Sequence, residues 1–390
     1  MPIEKPALRP ARPYFSSGPC AKHPAWSPTL LNAALLGRSH RSAAGKAKIQ
    51  SLLNRTRRLL ALPDDYRLGL TPASDTGAFE SVLWAMLGAR GVDCWVWESF
   101  GQGWYKDLSA ELKIQDLRLH RADYGALPDL AAADWERDQV FLWNGTTSGV
   151  RVPDGAWIRD DRRGLTLCDA TSAVLAMPVP WLKLDAVTFS WQKVLGGEAQ
   201  HGMLVLSPRA VERVQHYDPP WPVPKVLRLK AGGRLNEDIF TGGATNTPSL
   251  LCIEDFLDAL SWAEANGGAP GLLQRCERNY SALRSWVAMS PWVDFLAADA
   301  AHRSPSSVCL KLVEPWITEQ PEAMQRAFVR RLCDMLEAEG VAYDINAHRD
   351  SPPGLRVWCG ATVEVEDVER LTPWLDWAYT RLRDATQGEG

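Results

Sequence analysis

The chain has 390 residues, 46% apolar and 23% charged, with 29 Gly and 27 Pro, a globular composition that excludes disordered, collagen-like and coiled-coil classes. Lys and Arg total 43 against 47 Asp and Glu, a formal net charge of −4, so nothing draws the whole molecule to nucleic acid or to an anionic membrane surface. The uncharged apolar stretch Ala170 to Leu182 is too short to span a bilayer and carries Pro178 and Pro180. The start, Met-Pro-Ile-Glu-Lys-Pro, lacks the basic and apolar segments of a signal peptide, so the expectation is a cytoplasmic protein with no membrane and no nucleic-acid partner.

In chain order, Ser27-Pro28 opens a short helix that Gly37 stops. An amphipathic helix is predicted from about Ala43 to Ala61, with Ile49, Leu52, Leu53, Leu59 and Leu60 on one stripe. After Arg67–Leu70, the segment Gly77 to Leu87 again carries apolar residues at helical spacing. Short apolar runs follow at Cys94–Trp97, Gln139–Trp143, Leu165–Cys168, Ala186–Ser190 and Met203–Leu206. Most are separated by helix-length segments, which is the pattern of an α/β fold with a mainly parallel sheet covered on both faces. Functional groups in such sheets gather at the C-terminal ends of the strands.

A helix from Ser249 to about Ala265 ends at Asn266-Gly267-Gly268, where a domain boundary is expected. This gives an N-terminal arm over 1–20, a large domain over 21–266 and a small α+β domain over 267–390. The small domain reads helix, strand Val308–Leu312, helix Glu322–Glu339, strands Val341–Ile345 and Leu355–Trp358, and helix Val365–Arg383. Its eight Cys and seven His are scattered along the whole chain with no Cys-x-x-Cys or His-Glu-x-x-His, so neither a metal site nor a disulfide framework is expected. Eighteen Trp is a high count that composition alone does not explain. Gly101-Gln-Gly103 lacks the third glycine of a dinucleotide fingerprint, and Gly45-Lys46 is followed by Ala47 where a phosphate-binding P-loop needs Ser or Thr.

The informative stretch is Val187 to Gly197, in which Lys193 follows a buried strand and precedes a glycine pair. A lysine there can form a Schiff base with a carbonyl cofactor once burial lowers its amine pKa. Asp169 closes the upstream apolar run. If the two strands are neighbours, Asp169 and Lys193 converge, as pyridoxal phosphate requires: a lysine for its aldehyde and an anion that keeps the pyridine nitrogen protonated. The alternative is an ordinary strand-end salt bridge. Ser74-Asp75-Thr76-Gly77 opens a helix after a strand and is a candidate phosphate cradle, in which the Asp75 amide does the work while its side chain turns away. Taken alone, the same tetrapeptide is a plain helix cap.

Phe15-Ser-Ser-Gly-Pro19, Ser39-His40-Arg41, Asn144-Gly-Thr146, Asp169, Gln192-Lys193, Asn246-Thr247-Pro248 and His348-Arg349 followed by Arg356 are widely separated yet collinear. In this order they resemble the phosphoserine aminotransferases of the class V aminotransferase group, and the likeness covers nearly the whole chain. The resemblance implies a fold type I pyridoxal-phosphate enzyme with a seven-stranded, mainly parallel sheet and a homodimer whose active sites lie at the subunit interface. It further implies amino transfer between glutamate and 3-phosphohydroxypyruvate, giving phosphoserine and 2-oxoglutarate in serine biosynthesis. Whether phosphohydroxythreonine of vitamin B6 synthesis is also used stays open.

By matching position, the resemblance makes Lys193 the Schiff-base lysine and proton shuttle, and Asp169 the partner of the pyridinium nitrogen. Thr146 would bond near the ring hydroxyl or Asp169. Gln192, Ser74, Asp75 and Thr76 would hold the phosphate, joined by Asn246 and Thr247 of the partner subunit. Arg356 would take the substrate α-carboxylate, with His40, Arg41, His348 and Arg349 around its phosphate or distal carboxylate. Two departures stand out. Relatives carry an arginine in the phosphate loop where this chain has Ser74-Asp75-Thr76, and the tryptophan expected flat on the ring is Trp104 or, in its place, Phe100.

Among alternatives, Ser190-Trp-Gln-Lys193 also reads as the Ser-x-x-Lys of acyl-transfer enzymes, but Lys-Thr-Gly is absent and Ser190 ends a strand. A cysteine desulfurase would need a mobile catalytic Cys, and a His where Gln192 stands. An alanine–glyoxylate type transaminase shares the Schiff-base chemistry but has no use for a phosphate-binding cluster. A non-enzymatic relative would not need both the lysine and the aspartate.

Overall fold

The buried apolar runs pair into one seven-stranded sheet in the computed structural model, which describes residues 4–388. Its strands are β1 (Arg67–Pro72), β2 (Val92–Val96), β3 (Leu117–Arg121), β4 (Asp138–Leu142), β5 (Thr166–Asp169), β6 (Ala186–Ser190) and β7 (His201–Leu206). They lie in the order β1-β7-β6-β5-β4-β2-β3. Strand β7 is antiparallel to both its neighbours, and the remaining pairings are parallel. Strands β2 and β4 to β7 are buried along their whole length, because helices cover both faces and leave no wet side for polar alternation.

The covering helices start at sequence-encoded caps. Helix α1 (Ala43–Leu59) is capped by the Ser42 hydroxyl, which accepts from the Gly45 amide at 3.1 Å. Helices α2 (Ser74–Met86) and α3 (Ser99–Lys106) leave the C-terminal ends of β1 and β2. Further on come α4 (Pro208–His216), α5 (Leu250–Ala265) and α6 (Gly268–Met289). A smaller antiparallel sheet follows, made of β8 (Val293–Phe295), β9 (Ser307–Leu312) and β10 (Gly354–Trp358), and it is packed by α7 (Glu322–Ala338) and α8 (Val365–Gly388). No helix of the described residues is long and apolar enough to cross a membrane.

The expected strand Val341–Ile345 does not form. Asp344 adopts φ 57°, which turns the chain out of the extended region, and only the isolated bridges Tyr14 to Tyr343 and Asn346 to Leu355 remain there. Two strands of these two sheets fall outside the sequence expectation. Leu117–Arg121 is an edge strand whose Arg118, His120 and Arg121 mask its apolar content, and Val293–Phe295 is only three residues long. Trp104 lies inside α3, which opens at Ser99.

The tryptophans build two aromatic clusters. One joins Trp95, Trp135, Trp157 and Phe141 beneath the large sheet, with His120 stacked on Trp95 at 3.9 Å. The other joins Trp286, Trp292, Trp316, Phe328 and Tyr379 around the small sheet. Asp376 accepts the indole N–H groups of both Trp286 (2.9 Å) and Trp292 (2.7 Å), which satisfies the polar handle that burying tryptophan requires.

Candidate active site

Strands β5 and β6 are parallel neighbours, with Asp169 opposite Thr188. Asp169 therefore ends β5 beside the segment that carries Lys193 just past β6. Both side chains line one cavity of about 270 Å³ at the C-terminal edge of the sheet. Lys193 is buried, and its amine donates to the Ser17 carbonyl. Burial, chiefly, lowers its basicity, with Arg356 adding to the effect and Cys20, Asp169 and Glu98 opposing it. An amine so placed is held more easily in the neutral, nucleophilic form.

Asp169 is held from two sides. Its Oδ1 accepts the Thr171 amide at 3.0 Å and its Oδ2 accepts the Trp104 indole N–H at 3.2 Å. Trp104 is buried, with Phe79 of α2 packed on it at 4.8 Å. Phe100 is 45% exposed and lies at the rim, 6.0 Å from the His348 ring. The geometry thus favours Trp104 over Phe100 as the inner aromatic wall.

Helix α3 owes its placement to Glu98, which the sequence analysis gives no role. The buried Glu98 carboxylate accepts from the Gly101 amide at 2.9 Å, capping α3, and from the Thr147 amide at 3.1 Å and hydroxyl at 2.6 Å. It ties the Trp104 helix to the Asn144–Thr147 loop. Burial raises its carboxyl above the usual range, with those three hydrogen bonds opposing. Glu98→Ala leaves donors without acceptors and is expected to lower stability by about 3 kcal/mol in urea unfolding, with Glu98→Gln recovering part of that loss.

At the opposite wall, Ala73 and Ser74 both take positive φ (62° and 52°) to turn from β1 into α2. A Cβ on Gly77 would stand 2.3 Å from the Pro72 carbonyl, so only glycine permits this turn. No side chain caps α2; the Ser74 amide donates to the Gln200 carbonyl at 3.5 Å, which leaves the first-turn amides of Asp75 and Thr76 for an external anion. The Asp75 side chain lines the same cavity as Ser74 and Thr76. It is buried within reach of Asp169, Thr171 and Thr188, and burial followed by the Asp169 charge raises its carboxyl well above the usual range.

The donor set fits pyridoxal phosphate. Asn144 Oδ1, Thr171 Oγ1 and Gln192 Oε1 are buried without a hydrogen-bond partner, and all three residues line the cavity. Such orphaned atoms are costly unless a polar ligand meets them. Thr146 also lines the cavity, but its hydroxyl donates to Ser172 Oγ at 2.9 Å, which the Asn144 amide reaches at the same distance. Asn144, Thr171 and Ser172 are functional candidates that the sequence analysis leaves unassigned. Asn144 sits within a motif quoted above, and Thr171-Ser172 follows a strand-ending aspartate.

Arg356 projects from the middle of β10. Its Nε is buried without a partner, and its guanidinium makes no ion pair among the described residues. His348 is half-buried near Phe100, with its ring nitrogen 3.5 Å from the Ser99 hydroxyl. Burial and the Arg356 charge lower its pKa. Arg349 points outward with its side chain 87% exposed. His40 is buried ahead of α1, while Arg41, Asn246 and Thr247 are exposed, and none of these four lines the cavity of its own chain. Ser190 faces a separate, smaller cavity with Phe256 and Leu260, so it is not paired with Lys193 as a Ser-x-x-Lys nucleophile would be.

A mainly parallel sheet that presents a buried lysine and an aspartate to one cavity at its C-terminal edge defines a fold type I pyridoxal-phosphate-dependent transaminase. The fold is that of a phosphoserine aminotransferase from Cytophaga hutchinsonii, with TM-score 0.78 and 20% identity, covering 94% of this chain and 98% of that one. Curated relatives are closer. The chain is 55% identical to a phosphoserine aminotransferase of Methanosarcina mazei and 53% identical to that of Methanosarcina barkeri, in each case over 97% of this chain and 100% of the relative. No family model matches. The chain belongs to the phosphoserine aminotransferase family.

Proposed function

We propose that this chain moves an amino group reversibly between L-glutamate and 3-phosphohydroxypyruvate, giving O-phospho-L-serine and 2-oxoglutarate, as a step of serine biosynthesis in the cytoplasm. The observation that carries the reading is that Lys193 and Asp169 line one cavity, with the Arg356 charge, its Nε buried without a partner, acting on Lys193 from outside that lining, in a chain that is 55% identical to a phosphoserine aminotransferase. Bound pyridoxal phosphate supplies an electron sink for the substrate α-carbon.

The chain's own residues do the rest. The first-turn amides of α2, with Ser74, Thr76 and Gln192, would hold the cofactor phosphate, and Asn144 and Thr171 would offer hydrogen bonds to the ring. Asp169 would keep the ring nitrogen protonated, and Trp104 would wall the ring from water. Lys193 Nζ would act as general base toward the substrate α-proton. Arg356 grips the α-carboxylate bidentately.

Arg41, Asn246 and Thr247 are exposed in the single chain, which supports a homodimer in which they serve the neighbouring cavity. The same holds for Arg349. The division into an arm, a large domain and a small domain near residue 266 fits the break between α5 and α6. A phosphate site distinguishes this reading from an alanine–glyoxylate type transaminase. Arg41→Ala is therefore expected to reduce turnover of phosphoserine about 100-fold, the scale of a lost bidentate charge contact, and turnover of alanine or serine less than threefold. Equal losses on both substrates would remove the phosphate argument. The assay that tests the whole reading is glutamate-dependent conversion of 3-phosphohydroxypyruvate with and without added pyridoxal phosphate.

A further inference from the structure

The first turn of α2 carries an acidic residue, Asp75. The Asp75 side chain is buried at the cavity that Asp169 also lines, with Thr171 and Thr188 beside it. Its Oδ1 is buried without a hydrogen-bond partner. Two carboxyl groups buried at one cavity disfavour each other's charge, which favours a single proton kept on the pair.

Asp169 is the member held as an anion. Thr171 N–H and Trp104 N–H both donate to it, whereas Asp75 is left with an orphaned oxygen and two hydroxyl neighbours. We propose that Asp75 is a positioning residue which stays un-ionised and donates its carboxyl proton to Asp169, fixing the orientation and single negative charge of the group that meets the cofactor's ring nitrogen. The inference rests on the reading of the cavity as a pyridoxal-phosphate site.

The other groups around Asp75 do not compete for this role. Cys168 on β5 is buried, and its thiol is raised by burial and then by the Asp169 charge, so it stays neutral. Strand β6 presents the untitratable Thr188. His201 at the head of β7 is held neutral by burial, with its pKa lowered to about 4, and its Nε2 accepts the Ser249 amide. Lys193 lines the same cavity, and the Asp169 charge acts on its amine. Burial and the Asp169 charge both disfavour the charged form of Asp75. Its proton is therefore retained at neutral pH and is lost only as the pH rises through its raised value.

The test uses the full chain. Infrared difference spectra of wild type against Asp75→Asn at neutral pH are expected to show the carbonyl stretch of an un-ionised carboxylic acid in wild type and not in the variant. Its absence from wild type overturns the inference. Cofactor binding, followed by visible absorbance and by quenching of tryptophan fluorescence, separates the variants further. Asp75→Asn can still donate to Asp169 and is expected to bind pyridoxal phosphate within threefold of wild type, whereas Asp75→Ala loses about tenfold, the worth of one hydrogen bond to a charged group. Equal losses in the two also overturn it. Wild-type affinity is expected to fall at alkaline pH as Asp75 ionises, while that of Asp75→Asn stays level over the same range. A wild type that takes up no pyridoxal phosphate sinks the reading of the cavity, and the infrared comparison still judges the shared proton. If Asp75→Ala does not fold, the isosteric Asn variant decides.

Discussion

Lys193→Ala is expected to abolish the visible absorbance that added pyridoxal phosphate gives the protein and to lower transamination by about 10⁴-fold or more, the upper scale for loss of a positioned acid–base group. The same change is expected to leave the unliganded chain folded and at least as stable at neutral pH. Lys193 is buried, and its basicity is lowered chiefly by burial, so the folded chain binds its proton less readily than the unfolded chain does. A lysine with a depressed folded pKa disfavours folding below that pKa by its full amount. The penalty declines as the pH rises from the folded value to the unfolded one. Removing the amine lifts this penalty, against which stand the lost methylene packing and the Ser17 carbonyl left without its donor. Calorimetry at pH 7 and pH 10 should therefore find the variant gaining on wild type at the lower pH. A large stability loss at both pH values, with cofactor absorbance intact, would make Lys193 a structural residue and reject its role.

The two central groups are legible in the sequence because each follows a run that can only be a buried strand, and strand ends of a parallel sheet meet at one edge. Asp169 and Lys193 need no knowledge of distant contacts beyond the pairing of β5 with β6. Residues whose role depends on which element packs against which are harder to read. Glu98 follows Trp97 like any polar residue at a strand end, and only the folded chain reveals Gly101 and Thr147 converging on it. Asp75 is legible as part of a helix start, but its burial against Asp169 is set by the close passage of α2 over β5 and β6. Edge strand β3 is missed because alternating charges conceal its apolar residues, and Val341–Ile345 is overread because one left-handed residue, Asp344, cancels four extended ones. The expected binding residues divide along the same line: Arg356 is fixed by a strand within this chain, whereas Arg41, Arg349, Asn246 and Thr247 are exposed and line no part of its cavity.

Asp169→Asn is expected to cost about 10³-fold in transamination at neutral pH, the scale for losing one preorganised electrostatic partner, with glutamate and phosphoserine half-reactions affected alike because both run through the same ring. Single-turnover mixing with each amino acid measures this. The pH dependence carries the sharper content. With asparagine at 169, the like charge beside Asp75 is gone and only burial continues to raise the Asp75 carboxyl. Asp75 then ionises at lower pH than in wild type and restores a negative charge beneath the ring, separated from it by one side chain. Activity of Asp169→Asn is thus expected to recover about tenfold as the pH rises, the direction in which a carboxyl gains charge, and the recovery should vanish in Asp169→Asn/Asp75→Asn. Two variants with identical pH profiles would detach Asp75 from the electrostatics of the site and leave Asp169 acting alone.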